Sequence, residues 1–391
     1  MTGQDIRQGY KQTELGVIPE DWAVSTIGKE MKLTNGRAFK PSEWGRTGLP
    51  IIRIQNLNDL GADFNYCSDP VDEKNFIRKG DLLFAWSGTL GTSFGARRWL
   101  GPNGVLNQHI FKVEPHLDVM TADFALLVLG QVQTQIEKQS HGFKASFVHV
   151  KKSDLVGVEL GFPMDLSEQR AIAAALSDAD GLIAALEAMI AKKRDLKQAA
   201  MQNLLTGKTR LPGFSGEWEV KRLGDLLEYE QPTKYLVSST DYDDSYDIPV
   251  LTAGKSFLLG YTNERHGVFT QLPVIIFDDF TTATQFVDFP FKAKSSAMKL
   301  LKPRNPQVNL RLVYDMMQTI KFEMSDHKRY WISEYQKIEV PFPNPAEQTA
   351  IAEVLSDMDA DLAALEARVA KARAVKQGMM QELLTGKVRL V

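Results

Sequence analysis

The sequence is poor in the residues that form disulfides, cysteine-based metal sites and membrane spans. Its 391 residues include a single cysteine, Cys67, which excludes an intrachain disulfide and a cysteine-rich zinc site. No run approaches about 18 consecutive apolar residues, so we expect no contact with a membrane through a spanning helix. The polar N-terminus lacks the apolar stretch of a signal peptide. These absences predict a cytoplasmic protein.

An excess of positive charge is also missing. Lys and Arg number 46 and Asp and Glu number 49, so the formal net charge is −3. No segment is a basic block of the kind that binds DNA through counterion release alone. Binding of nucleic acid would therefore need local patches of basic residues or help from a partner protein.

Motifs for nucleotide binding or catalysis are incomplete. Residues 253–256 (AGKS) and 206–209 (TGKT) look like the end of a phosphate-binding loop, but Pro249 and Gln202 stand where its first glycine belongs. Asp278-Asp279 follows an apolar run, as metal-binding carboxylates can, yet a turn is favoured because no further acidic cluster accompanies it. No glycine-rich cofactor loop or Asn-Pro-Pro-aromatic run of an amino-methyltransferase is present. The sequence supports no catalytic site, metal or cofactor.

The most informative feature that is present is an internal repeat. Residues 168–211 and 347–390 align without a gap at an offset of 179, and 28 of the 44 positions are identical. A shorter similarity relates the motif Trp22-x-Val24-x-x-Ile27-Gly28 to the motif Trp218-x-Val220-x-x-Leu223-Gly224. Similarity at a fixed offset marks a duplicated unit. The chain is therefore predicted to run domain, helix, domain, helix, with a pseudo-twofold repeat.

The two repeated segments have the apolar spacing of a coiled coil. Apolar residues recur at alternating intervals of four and three, with Ala179 and Met358 at two of these positions. The predicted helix-pair interface consists of Ile172, Leu176, Ile183, Leu186 and Ile190 in the first copy and Ile351, Leu355, Leu362, Leu365 and Val369 in the second. The simplest arrangement pairs the helices antiparallel within the chain. The alternative is that each packs on its own domain as an ordinary amphipathic helix.

The segments outside the repeat predict two globular domains of one class. Each has several strand-like runs, such as 49–57, then a helix, around 122–138 or 310–320, and a final pair of short strands that includes 331–333 in the second. We expect an α+β fold. Two α/β domains, at 1–163 and 212–343, are separated by an antiparallel two-helix coiled coil built from 164–211 and 344–391. A shared frame with different interiors is typical of readers of two different targets.

Stretches in each of the two predicted domains carry side chains suited to contact DNA. Arg can pair with guanine and Asn or Gln with adenine, while Lys and hydroxyl groups contact phosphate. In the first domain the candidates are Arg37, Lys40, Trp44, Arg46, Arg53, Gln55, Asn56, Asn107 and Gln108. In the second domain they are Lys255, Lys292, Lys294, Ser295, Ser296, Lys299, Lys328, Arg329 and Tyr330. For any one of them alone, an ordinary solvated surface position is the alternative.

Several motifs resemble those of the DNA-specificity subunit of type I restriction–modification systems, over nearly the whole chain. The motifs are Glu-Leu-Gly-Val-Ile-Pro-x-x-Trp at 14–22, Pro-x-x-x-x-Glu-Gln at 163–169, Leu-Leu-Thr-Gly-Lys at 204–208 and 383–387, and the phrases at 80–89 and 295–299. The lead-in to the second helix, at 343–348, is one residue shorter than the first.

The resemblance implies a non-catalytic subunit with two target-recognition domains. Each domain would read one half of an asymmetric, bipartite site in double-stranded DNA, and the helices would set the separation and bind two methyltransferase subunits. S-adenosylmethionine would belong to those adenine methyltransferases. ATP and Mg²⁺ would belong to the restriction (translocase–nuclease) subunits that such an assembly can add. Two other classes of protein stay open as alternatives. One is a coiled-coil scaffold that presents two protein-binding domains, and the other is a stand-alone methyltransferase.

Overall fold

The structure, a computed structural model, describes residues 6–140, 147–254, 256–323 and 329–390. Contacts divide the chain into two compact units. Unit 1 contains the residues up to Ala185 together with those from Val369 onwards, and unit 2 contains Leu186–Arg368. Within the described ranges, no helix has the length and apolar character needed to cross a membrane.

Unit 1 is built mainly from short strands. These are β1 (Tyr10–Thr13), β2 (Gly16–Pro19), β3 (Trp22–Thr26), β4 (Met31–Asn35), β5 (Leu49–Ile52), β6 (Asn65–Cys67), β7 (Phe76–Ile77), β8 (Leu82–Ala85), β9 (Ser87–Thr89), β10 (Gly95–Arg98), β11 (Gly104–Leu106), β12 (Ile110–Pro115), β13 (Phe147–His149) and β14 (Glu159–Pro163). Its helices are α1 (Ile27–Glu30), α2 (Ile54–Asn58), α3 (Ala122–Ser140), α4 (Lys152–Val156) and the start of α5 (Leu166–Leu204), which continues into unit 2.

Two four-stranded sheets organise unit 1, with orders β10-β8-β12-β4 and β6-β5-β11-β7. All four residues of β8 are buried, as expected for a central strand covered on both faces. Residues 49–57, predicted as one strand, are instead β5 followed by α2, because the ladder ends at Ile52 and Arg53 begins a helical turn.

Unit 2 repeats this plan with fewer strands. They are β15 (Glu219–Arg222), β16 (Leu227–Glu230), β17 (Ile248–Leu251), β18 (Leu258–Thr262), β19 (Val274–Asp278), β20 (Thr284–Val287), β21 (Lys292–Ala293), β22 (Met298–Pro303) and β23 (Glu339–Phe342). The helices are α6 (Leu223–Leu226), α7 (Leu310–Thr319), α8 (Tyr330–Ser333) and α9 (Pro345–Leu383), whose second half belongs to unit 1. Residues 331–333, predicted as a strand, lie in α8.

The sheets of unit 2 correspond to those of unit 1. The order β20-β19-β22-β16 matches β10-β8-β12-β4, and β18-β17-β21 matches β6-β5-β11. The parallel pair β5–β11 has its counterpart in the parallel pair β17–β21. The predicted common frame of the two domains is therefore confirmed.

The helices pair antiparallel within each unit. In unit 1, Ile172 and Leu176 near the start of α5 share a core cluster with Leu383 and Leu384 at the end of α9. In unit 2, Leu204 and Leu205 at the end of α5 share one with Ile351 and Leu355 at the start of α9. Each helix end therefore enters a domain core together with the other helix, so the packing of each helix on its own domain alone is excluded.

Ion pairs repeat this arrangement at the offset of the sequence repeat. Lys376 pairs with Asp180 in unit 1, and the equivalent Lys197 pairs with Asp359 in unit 2. All of the predicted interface residues except Ile183 and Leu362 are buried, and those two are half-buried. The internal repeat is therefore present in the contacts within each unit as well as in the sequence.

Candidate nucleic-acid interface

Four strands of unit 1 end at one side of its sheets. Asn35 at the end of β4 pairs with Phe111, and Ala85 at the end of β8 pairs with Ile110. The loops that follow are held there by backbone hydrogen bonds, from Arg37 N–H to the Leu106 carbonyl at 2.8 Å and from Asn107 N–H to the Ile52 carbonyl at 3.0 Å. We call this surface edge 1, and it consists of residues 35–37, 53–56, 86, 107–109 and 149.

Trp86 lies at the centre of edge 1. Its indole N–H donates to Asn35 Oδ1 at 3.1 Å. The rings of His149, His109 and Phe111 have their centroids 4.7, 5.2 and 5.8 Å from that of Trp86. Trp86, Asn35 and the two histidines were not among the predicted residues. Trp86 lies in the motif at 80–89, and His109 directly follows the candidates Asn107 and Gln108. Only the order of the strands, however, brings these side chains together.

The predicted arginines of edge 1 are held in defined positions. Arg53 lies over the ring of Trp44 at 5.3 Å, and Arg37 lies over Phe39 at 4.9 Å while it forms an ion pair with Glu43. Stacking and pairing of this kind orient a guanidinium before a ligand arrives. The backbone N–H of Lys40 and the charge of Arg37 lower the pKa of the Glu43 carboxyl.

The remaining predicted residues of the first domain differ in exposure. Lys40, Arg46 and Gln55 are exposed, whereas Asn107 and Gln108 are half-buried in the turn between β11 and β12. Asn56 is 0% exposed, its Oδ1 accepts from Arg53 N–H and its Nδ2 donates to the Ala62 carbonyl, both at 3.1 Å. The prediction that Asn56 contacts DNA is wrong, because its amide is enclosed and holds its own loop.

Unit 2 has an equivalent surface. Asp279 N–H donates to the Ala297 carbonyl at 3.2 Å, as Trp86 N–H donates to the His109 carbonyl at 3.2 Å. Lys294 N–H donates to the Leu251 carbonyl, as Asn107 N–H does to that of Ile52. The stretches 107–109 and 294–297, which were nominated separately from the sequence, therefore occupy equivalent turns in the two units. We call residues 252–254, 279, 294–297 and 329–331 edge 2.

The exposed groups of edge 2 are cationic and hydroxylic. Lys294, Ser296 and Arg329 are exposed, and the Lys294 ammonium lies 6.0 Å from the centre of the Tyr242 ring. Ser295 is half-buried and its Oγ accepts from Ala297 N–H at 3.1 Å. Tyr330 is 2% exposed, so the prediction of a DNA contact by its side chain is wrong in this fold. Lys255 and Lys328 lie outside the described residues.

Two predicted lysines of the second domain are interior residues. Lys292 is 1% exposed and its Nζ is 2.6 Å from Glu264 Oε2 and 2.9 Å from the His266 carbonyl. Lys299 is 0% exposed and its Nζ is 3.1 Å from Asp279 Oδ2. Their assignment as phosphate contacts is wrong, because a phosphate cannot reach them. Hydrogen bonds from Lys292 and from the Ser239 and Ser238 N–H groups lower the pKa of Glu264 to about 2.

The fold and the two edges define a class of protein with two related recognition domains on a shared helix pair, and comparison with known proteins agrees with it. A model of the type I restriction modification DNA specificity domain matches residues 19–193 and 215–372. The chain belongs to this family and contains two of its domains. Members of the family are the non-catalytic specificity subunits of type I restriction–modification systems.

Individual relatives bear related names. The chain is 52% identical over 149 residues to the EcoR124I/EcoR124II specificity subunit of Escherichia coli, an alignment that spans 36% of each protein. It is 24% identical to the putative MjaX specificity subunit of Methanocaldococcus jannaschii over 98% of this chain and 97% of that one. The chain thus spans about a third of the first relative and nearly all of the second.

Solved structures share the fold over nearly the full length. The S subunit of a type I restriction–modification system from M. genitalium matches with a TM-score of 0.61 at 17% identity, covering 93% of this chain and 96% of that one. A chain from a structure that describes complex assembly and conformational transition of a type I system matches with a TM-score of 0.58 at 15% identity, covering 95% and 99%.

Proposed function

We propose that the chain recognises an asymmetric, bipartite site in double-stranded DNA, with edge 1 reading one half and edge 2 the other. The observation that carries this proposal is the contrast between the edges. They occupy equivalent positions in a duplicated frame, yet edge 1 presents indole, imidazole and amide groups whereas edge 2 presents Lys294, Ser296 and Arg329. Different groups at equivalent positions would contact different base edges and phosphates.

We further propose that α5 and α9 form one intramolecular antiparallel coiled coil that sets the separation of the half-sites. Both helices have 39 residues, and the buried seam positions Leu186, Ile190, Leu365 and Val369 support the proposal. Ion pairs between Arg194 and Glu366 and between Lys193 and Asp361 support it within unit 2. Pairs of this kind flank the seam of many coiled coils.

The partners in this proposal are two methyltransferase subunits. A chain of net charge −3 neutralises few phosphates, so we infer that much of the affinity for DNA comes from the partners. S-adenosylmethionine would be bound by the methyltransferases, and ATP and Mg²⁺ by any restriction subunits, with no cofactor in this chain. The assembly would act in the cytoplasm, where its DNA is.

Methylation-site mapping tests the proposal. The full chain is produced together with its methyltransferase partner, and methylated adenines are mapped by sequencing. We expect one bipartite motif in which the variant Trp86→Ala relaxes one half and Arg329→Ala relaxes the other. Lys221→Ala, a half-buried lysine of β15 outside the residues that define the two edges, is the control. A scaffold would give no sequence-selective methylation, and binding of S-adenosylmethionine by the isolated chain would instead favour the stand-alone methyltransferase.

A further inference from the structure

A buried ion pair lies directly beneath edge 2. Lys299 in β22 is 0% exposed and Asp279 is 1% exposed, and Nζ and Oδ2 are 3.1 Å apart. Neither atom has a hydrogen-bond partner among the described residues, so each charge depends on the other. The Lys299 ammonium also lies 5.5 Å from the centre of the Tyr229 ring. Burying two charges is costly, so a pair in this position calls for an explanation other than stability.

Asp279 connects the two segments that form most of edge 2. Its N–H donates to the Ala297 carbonyl at 3.2 Å, which fixes the turn that carries Lys294 and Ser296. Its own carbonyl accepts from Tyr330 N–H at 3.0 Å, and its Oδ1 accepts from Trp331 N–H at 2.9 Å in a buried bond. The second segment begins with the exposed Arg329. One residue therefore bonds to both segments, to the turn through its backbone N–H and to the second segment through its carbonyl and its side chain.

Unit 1 shows that the fold does not require this pair. Trp86 is the equivalent of Asp279, with the same two backbone bonds, to the His109 carbonyl and from Val150 N–H at 2.9 Å. The equivalent of Lys299 is Phe111, on which Trp86 stacks. The side chain of Trp86 donates to Asn35 in edge 1 and contacts the ring of His149 in the returning segment, without a buried charge. The ion pair is therefore particular to unit 2.

We propose that Asp279 is a positioning residue for the half-site read by unit 2, and that Lys299 acts through it. Asp279 holds the turn 295–297 and the segment 329–331 in one arrangement, so that Lys294, Ser296 and Arg329 face the DNA together. Lys299 supplies the charge that lets a carboxylate occupy this buried position. The inference rests on the proposed function and adds a role for two residues that do not touch DNA.

Three variants separate positioning from general stability. Lys299→Met leaves the Asp279 carboxylate buried without its partner, so we expect the turn and the segment to move apart. Asp279→Asn with Lys299→Met removes both charges but keeps an oxygen that can accept from Trp331 N–H. Asp279→Ala with Lys299→Met removes both charges and that oxygen. Lys302→Met is the control, because Lys302 lies on the same strand and pairs with Glu230 away from the edge.

The experiment is methylation-site mapping with the full chain and its methyltransferase partner, scored position by position. In Lys299→Met we expect discrimination to fall up to about 10-fold at bases of one half-site and to stay unchanged in the other, which serves as an internal reference. The Asn/Met variant and Lys302→Met should retain the parent's discrimination, and the Ala/Met variant should lose it in that half-site only.

The results that would overturn the inference are distinct from those that overturn the proposed function. Equal loss in both half-sites, or none in either, would show that the pair does not position edge 2. If Lys299→Met fails to fold, the two double variants decide, and equal discrimination by both would reject a role for the Asp279 oxygen. If the parent chain itself directs no sequence-selective methylation, the proposed function fails and the inference fails with it.

Discussion

Arg389 and Glu168 form a two-bond ion pair that joins the segment after α9 to the start of α5. Glu168 is 1% exposed, and Arg389 Nη2 donates to its Oε2 at 2.7 Å while the same guanidinium also pairs with Asp21. These bonds raise the pKa of Arg389. Arg210 and Glu347, each offset by 179 positions, make the same two-bond pair in unit 2 at 2.5 and 2.6 Å. Both members of the pair recur in both copies, so the segment after one helix is joined to the start of the other helix in the same way in each unit.

The Arg389–Glu168 pair is predicted to contribute strongly to the stability of unit 1. Arg389→Met leaves the buried Glu168 carboxylate unpaired, so we expect a loss of about 3–5 kcal/mol in the free energy of unfolding. Lys193→Met, which breaks the exposed pair with Asp361, should cost less than about 1 kcal/mol. Chemical denaturation of the two variants beside the parent measures this. Similar small losses in both would contradict a buried role for the first pair.

The seam of the helices is predicted to be a packed interface. Asn in place of both Leu186 and Leu365, which are 5% and 6% exposed, should cost several kcal/mol, since single buried leucines contribute about 2–5 kcal/mol. We expect Ile183 and Leu362 to contribute less because they are half-buried. Leu196→Asn on the same helix, at 53% exposure, is the control and should change stability little. Thermal unfolding decides between a packed seam and two solvated helices.

Unit 2 is predicted to lose stability in acid through Glu264. Its pKa of about 2 in the folded state lies below the usual 4.5, so the ionised form is stabilised by folding. That contribution is complete above about pH 4.5 and is lost as the pH falls towards about 2. Glu264→Gln should therefore destabilise the protein at pH 7, by about 1.5–3 kcal/mol, and the difference from the parent should shrink across this window. Denaturation midpoints measured from pH 7 to 2.5 test it, and a constant difference would refute it.

Lys294 is predicted to contact phosphate, whereas Lys292 is not. Lys294→Ala should weaken binding to all sequences and reduce the slope of log K against log salt by about one. Lys292→Ala should leave the slope unchanged in the folded protein and lower its stability, because it removes the charged partner of the half-buried Glu264 carboxylate. Titrations with the reconstituted complex at several salt concentrations separate the two effects. Identical slopes for Lys294→Ala and the parent would remove Lys294 from the DNA surface.

The helices are predicted to act as a ruler between the half-sites. Four residues, close to one turn, inserted at equivalent positions in 184–191 and 363–370 would lengthen each helix by about 6 Å. At about 3.4 Å per base pair, the unread spacer should grow by one or two base pairs with both half-sites unchanged. Insertion in α5 alone should instead disturb the pairing of the helices. Methylation-site mapping reports both, and an altered half-site with the old spacer would show that the helices do not set the distance.

Local and periodic features of the sequence determined the internal repeat and the two long helices. The repeat at 168–211 and 347–390 and the heptad seam followed from spacing alone, because helical periodicity fixes which residues share a face. The antiparallel pairing was predicted as the simplest arrangement of two such helices within one chain. Gly207 and Gly386, at equivalent positions after the two helices, both have positive φ values, 69° and 71°, which glycine adopts readily at the end of a helix. The turns 107–109 and 294–297 could be nominated because their amide, ammonium and hydroxyl groups are of the kinds that contact bases and phosphates.

Tertiary structure decided which of the nominated groups are accessible. Lys292, Lys299 and Asn56 have the chemistry of DNA contacts, but all three are buried. Strand pairing places Lys292 and Lys299 inside, where they form ion pairs with Glu264 and Asp279, and the loop after α2 encloses Asn56, whose amide donates to the Ala62 carbonyl. Trp86, His109 and His149 are separated in the sequence and meet only because the ends of β8 and β13 lie beside the start of β12. Burial and convergence of this kind depend on pairings between distant strands. Local composition does not encode such pairings, so the helices were predictable from the sequence whereas the recognition surfaces required the fold.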